Sequence, residues 1–164
     1  MMKKIIFRVD DRLIHGQVIE GWVKYFKINH VILVNDRVSA DPLQKMIYSS
    51  SLPPGTELTI CTMEEFKAQY NADRYAKDYV LILVETVDEL YEVRGLINDK
   101  VYVNIGCVAS REHKIEVSNT VFLNPEEIYK VCRIRKDHEV FIHKVPWETS
   151  VEIMNFTDLL EGNL

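Results

Sequence analysis

The sequence predicts an α/β fold: a doubly wound, mostly parallel open sheet of about seven strands with helices on both faces, built as one domain over residues 1–164. Strand-like and helix-like segments alternate along the chain with no long linker, internal repeat or low-complexity stretch. Several strand candidates, such as Val80-Leu81-Ile82-Leu83-Val84, are apolar without alternation, the pattern of strands that helices cover on both faces. A chain of 164 residues is also long enough to bury about two-thirds of its unfolded surface in one core, with no disulfide or metal staple.

The elements follow in order. A first strand at 3–9 ends where Asp10-Asp11 breaks the apolar run, and Val18, Trp22 and Phe26 then predict a helix over 17–26. A strand at 30–35 leads to a helix at 39–51, which Pro53-Pro54-Gly55 stops. Strands at 57–61, 79–85, 100–105, 119–123 and 139–145 alternate with helices at 63–71, 87–97 and 125–132, the last opened by Asn124-Pro125 with proline in the first turn. If the first strand is central, with the second strand on one side and the fourth on the other, its C-terminal end is a topological switch point where a crevice opens. Asp36, Thr86 and Asn104-Ile105-Gly106 would share that edge of the sheet.

Composition narrows the function classes. A formal net charge of −5 argues against general nucleic-acid binding, which relies on clustered cations. Cys61, Cys107 and Cys132 are odd in number, far apart and form no C-x-x-C, so neither a disulfide framework nor a zinc site is expected, and a reducing cytosol is the simpler setting. No apolar run approaches the ~20 residues that span a bilayer. Neither G-x-G-x-x-G nor a glycine-lysine phosphate loop is present, and no cofactor or metal is implied.

The chemistry concentrates where the first strand breaks, in Arg8-Val9-Asp10-Asp11-Arg12-Leu13-Ile14-His15-Gly16-Gln17. A histidine that opens a helix beside two arginines suits phosphoryl transfer. That reaction needs a neutral imidazole nitrogen as nucleophile, cations to spread charge on the transferring oxygens, and free backbone N–H groups to hold them. Gly16 would let a phosphate approach the backbone, and Gly16 with Gln17 are the candidate phosphate-binding residues. Asp10 is placed to fix the tautomer of His15, and Asp11 to hold the loop's shape. Arg12 is well placed for two-pronged phosphate contact, whereas Arg8, inside an apolar strand, is as well explained by a salt bridge to Asp10 or Asp36.

The uninterrupted run from Arg8 to Val18 resembles the active-site signature of the enzyme IIB component of the mannose/fructose/sorbose family of the bacterial sugar phosphotransferase system. Weaker likeness continues through Val34-Asn35-Asp36, Ala40-Asp41, Pro53-Pro54-Gly55 and Val103-Asn104-Ile105-Gly106, and so spans nearly the whole chain. The resemblance implies the architecture above, with the last strand antiparallel at the edge. It implies phosphorylation of His15 at Nδ1, with Arg8 and Arg12 stabilising the phosphoryl group. The expected activity is that of a protein-phosphohistidine–sugar phosphotransferase. It accepts phosphate from the Nε2 phosphohistidine of an enzyme IIA protein or domain and passes it to a sugar held by membrane IIC and IID subunits. A cytoplasmic chain peripherally associated with that permease is expected. Cys107 stands where the family more often has a second glycine.

The remaining histidines read as structural or solvated: His30 precedes a strand, His113 and His138 sit in charged turns, and His143 alternates within a terminal strand. None has metal-ligand spacing. Trp22 belongs to the apolar stripe of the first helix, while Trp147 suits either the sheet edge or a partner surface. Two rival functions are weighed beside this one. A receiver-like signalling module would share the acidic pair after the first strand, but Thr59-Ile60-Cys61-Thr62 offers no aspartate acceptor and Asn104-Ile105-Gly106 no lysine. A regulatory member of the same family, uncoupled from transport, would need the same residues.

Overall fold

The computed structural model describes residues 4–98 and 101–151. Its elements are β1 (Ile5–Asp10), α1 (Gly16–Val18) continued by a π-helical segment (Ile19–Lys24), β2 (His30–Val34), α2 (Asp36–Ser39), α3 (Pro42–Ser51), β3 (Glu57–Cys61) and α4 (Met63–Gln69). There follow β4 (Val80–Val84), α5 (Val87–Glu92), β5 (Val101–Cys107), β6 (Ile115–Ser118), β7 (Val121–Leu123), α6 (Pro125–Arg135) and β8 (Val140–Ile142). Residues 3 and 100, where two expected strands begin, lie outside the described residues.

Six strands form the main sheet in the order β3-β2-β4-β1-β5-β8, every adjacent pair parallel. The doubly wound architecture is therefore as expected, with three corrections. The neighbours of β1 are β4 and β5, not the second strand. The expected strand at 119–123 leaves the main sheet and pairs antiparallel with Ile115–Ser118. The last strand runs parallel to β5, because α6 carries the chain back along the sheet before β8 begins, and a helical crossover returns a strand in its starting direction.

The chain winds to opposite sides of β1. Phe66, Leu90 and Ile128 from α4, α5 and α6 cover the face that holds Ile5, Phe7 and Val9. Val18, Trp22 and Val38 from α1, the π-helical segment and α2 cover the face that holds Ile6, Leu81 and Leu83. Alternation along β1 sends Arg8 and Asp10 to this second face as well. The crevice at the C-terminal end of β1 thus opens between connections that depart in different directions.

Two helices differ from the expected spans for local reasons. Asp41 caps α3 through its side chain, so the helix expected over 39–51 begins at Pro42, and a separate short helix, α2, capped by Asn35, precedes it. In the first helix, Val18 and Trp22 are both fully buried. An apolar repeat of four drifts about 40° per step on an α-helix of 3.6 residues per turn. The wider turn over Ile19–Lys24 keeps the stripe aimed at the sheet.

Candidate functional site

The loop between β1 and α1 is tied down from both ends. Leu13 N–H donates to Asp10 O at 3.0 Å, closing a tight turn in which Leu13 takes a left-handed φ of 59°. Such a backbone costs a side-chain-bearing residue about 1–2 kcal/mol, and the burial of Leu13 and Ile14 beneath α1 offsets it. Asp11 N–H donates to Cys107 O at 3.0 Å, and Ala109 N–H donates to Asp11 Oδ2 at 2.6 Å. Asp11 therefore holds the loop to the end of β5.

His15 is the N-cap of α1, and its two ring nitrogens face different groups. Nδ1 accepts from Gln17 N–H at 3.3 Å. Nε2 lies 2.9 Å from Asp10 Oδ2. An ionised carboxylate accepts only, so the proton sits on Nε2 and the lone pair on Nδ1. The ring is half-buried, with 18% of its side chain exposed.

Asp10 is wholly buried and fully used. Its Oδ2 also accepts from Arg8 Nη2 at 2.9 Å, and its Oδ1 accepts from Arg12 N–H at 3.1 Å. Burial alone would push the Asp10 carboxyl up, but the His15 hydrogen bond and the Arg8 charge outweigh it and hold the group below the usual carboxylate range. Asp10 is thus an anion that orients His15.

Arg8 does not reach the surface. Its guanidinium is fully buried, paired with Asp10, bonded through Nη1 to Asn104 Oδ1, and stacked 4.7 Å from the ring of Trp22. Burial lowers its pKa while Asp10 opposes the shift. Of the two sequence readings of Arg8, the ion pair with Asp10 is what the geometry displays, and any effect on a phosphoryl group passes through Asp10. Arg12 is the exposed cation: 43% of its side chain is accessible, and Nη2 donates to Gln17 Oε1 at 2.9 Å. Arg12, Gln17 and the ring of His15 thus share one mouth. Around Gly16 the space is open: beyond its chain neighbours and its own helix backbone, no heavy atom lies within 4 Å of where a Cβ would stand.

Sequence reasoning missed the roles of Asn104 and Gly106. Arg8 and Asn104 are direct partners across β1 and β5, and the register shifts between Val9 and Asp10, leaving Gly106 in a bulge. A Cβ on Gly106 would stand 1.9 Å from Arg8 Nη1, so only glycine leaves room for the guanidinium. The available signal was a polar residue and a glycine two apart in an apolar strand. Asp10, Asp11 and Cys107 bring ligand atoms within 4.8 Å of one another, but both carboxylates are engaged as described. Burial pushes the Cys107 thiol up to about 11, so it stays protonated near neutral pH.

A family model described as the PTS system sorbose subfamily IIB component matches residues 4–163. The chain belongs to this family of phosphotransferase-system IIB components. The sorbose-specific EIIB component of Lacticaseibacillus casei is 31% identical over 123 residues, covering 74% of each chain. The mannose-specific EIIAB component of Escherichia coli K12 is 29% identical over 158 residues, and this chain spans about half, 48%, of that relative's length. Among solved structures, the IIBSor domain of the sorbose permease from Klebsiella pneumoniae superposes with a TM-score of 0.81 at 27% identity, covering 97% of this chain and 98% of that one. Among the described residues of this IIB component, no helix is long and apolar enough to cross a membrane.

Proposed function

We propose that this IIB component is a phosphoryl carrier of sugar uptake. Nδ1 of His15 accepts the group from a phosphohistidine of an enzyme IIA protein or domain and passes it to a sugar held by membrane IIC and IID subunits. The observation that carries this reading is the division of labour at the ring: Nε2–H donates to Asp10, which leaves the Nδ1 lone pair facing the first turn of α1. The EIIAB relative, whose name joins an A part to the B part, supports a IIA partner. The chain would act in the cytoplasm, against its permease.

The transfer is an in-line displacement. The Nδ1–P bond of His15 forms as the N–P bond of the donor breaks, and the bonding pair returns to the donor imidazole. The His15 ring becomes cationic while it carries the group and keeps its Nε2 proton, and buried Asp10 stabilises that cation. Arg12 and the N–H groups of Gly16 and Gln17 supply the charge and hydrogen bonds that the phosphoryl oxygens require.

Incubation with a phosphorylated IIA protein, followed by mapping of acid-labile phosphate, tests the reading: label on His15 supports it, and a chain that takes no label overturns it. Arg12→Lys tests the fork. Lysine keeps one charge but loses the planar pair of donors. Transfer is expected to fall roughly tenfold or more, while stability stays within about 0.5 kcal/mol of the parent because the side chain is exposed. Equal transfer rates in stopped-flow experiments would show that Arg12 contributes charge alone.

A further inference from the structure

Beneath His15, one line of hydrogen bonds runs from β8 through β5 and β1 to the ring. Asn104 Nδ2 donates to the carbonyl oxygens of Phe141 and His143, each at 3.2 Å. Carbonyls only accept, so the amide has one orientation and its Oδ1 must face Arg8 Nη1. Arg8 Nη2 then meets Asp10 Oδ2, the oxygen that faces His15 Nε2. The guanidinium packs against the Trp22 ring and the bare Gly106 backbone, so its orientation depends on the acceptors that meet its fork. Arg8, Asp10 and Asn104 are all at 0% exposure, so no water competes for these bonds.

We propose that Asn104 is a positioning residue for phosphoryl transfer: by orienting the Arg8 fork it fixes Asp10, keeps the His15 proton on Nε2 and leaves Nδ1 unprotonated. The kinetic part rests on the carrier reading above; the tautomer part does not need a donor. Without the Asn104 acceptor, Arg8 Nη1 is a buried donor with no partner, and the fork turns to find one. That rotation draws Asp10 Oδ2 away from the imidazole, and the ring is no longer held to one tautomer. A residue that only stabilised the fold would change the melting temperature and leave the tautomer alone.

The test uses the full chain with 15N-labelled histidine. Long-range 1H–15N spectra of the unphosphorylated parent, Asn104→Leu and Gly106→Ala report the His15 tautomer, and stopped-flow with a phosphorylated IIA donor reports transfer at subsaturating and saturating donor. The parent is expected to show Nε2–H, and both variants a mixture of tautomers. Their saturated transfer rate is expected to fall roughly tenfold to a hundredfold, with the half-saturating donor concentration within about twofold of the parent. Gly106→Ala displaces Arg8 directly, with the Asn104 bonds to β8 untouched, and decides the matter if Asn104→Leu does not fold. A parent with the proton on Nδ1 overturns the proposal, as does either folded variant with the parent's tautomer and rate, or failure of both variants to fold. Loss of the Nε2–H tautomer in a parent–variant pair that takes no phosphoryl group supports the positioning role and overturns the carrier reading.

Discussion

Replacing His15 by alanine is expected to reduce phosphoryl acceptance to background while the fold persists. On the proposed carrier reading the imidazole is the nucleophile of the loop, and no neighbouring group takes its place: the Cys107 thiol is held protonated by burial, and Asp10 and Asp11 are engaged in hydrogen bonds. Alanine loses the cap to Gln17 N–H and the bond to Asp10, a stability cost of about 1 kcal/mol. Radiolabelled transfer from a phosphorylated donor, alongside thermal unfolding, checks both halves. Undiminished labelling of the alanine variant would remove His15 from the mechanism.

Asp10→Asn is expected to damage both folding and transfer. The substitution leaves the Arg8 charge buried without an anion, and breaking a buried pair on one side costs about 3–5 kcal/mol. For a chain of this size that is a fall in Tm of roughly 10 °C. Arg8→Met in the same chain removes the stranded charge, so the double variant should regain much of the Tm and none of the transfer. Full stability in Asp10→Asn would show that the ion pair is dispensable. The same pair sets a pH dependence. Because the Asp10 carboxyl titrates below its unfolded value, its ionised form contributes stability at every pH above the ordinary carboxylate value of about 4, and loses it as pH falls through the lower folded value. His15 then loses its orienting anion.

The loop was legible in the sequence because its groups are contiguous. Asp10, Arg12, His15, Gly16 and Gln17 lie within eight positions and need only a strand end and a helix start to come together. The layer below was not legible. Asn104 is 96 residues from Arg8, and the two meet only because β5 lies beside β1, an adjacency that hydrophobic periodicity does not specify. Arg8 had two plausible salt-bridge partners. The structure selects Asp10, two residues along the same strand and therefore on the same face, while Asp36 accepts from Met63 N–H at the start of α4. The direction of the last strand was not legible for a similar reason, since it follows from how α6 crosses the sheet rather than from the strand's own residues. The short strand Ile115–Ser118 was not legible either, because it pairs with its hairpin neighbour outside the main sheet.

The central claim is that His15 carries the phosphoryl group on Nδ1 while Asp10 holds Nε2. Long-range 1H–15N correlation of 15N-histidine protein, recorded immediately after phosphorylation by a IIA donor, reads the modified nitrogen directly. The account predicts one shifted histidine, His15, with phosphorus on Nδ1 and the proton retained on Nε2. A phosphoryl group on Nε2, or on any of the other four histidines, would contradict it.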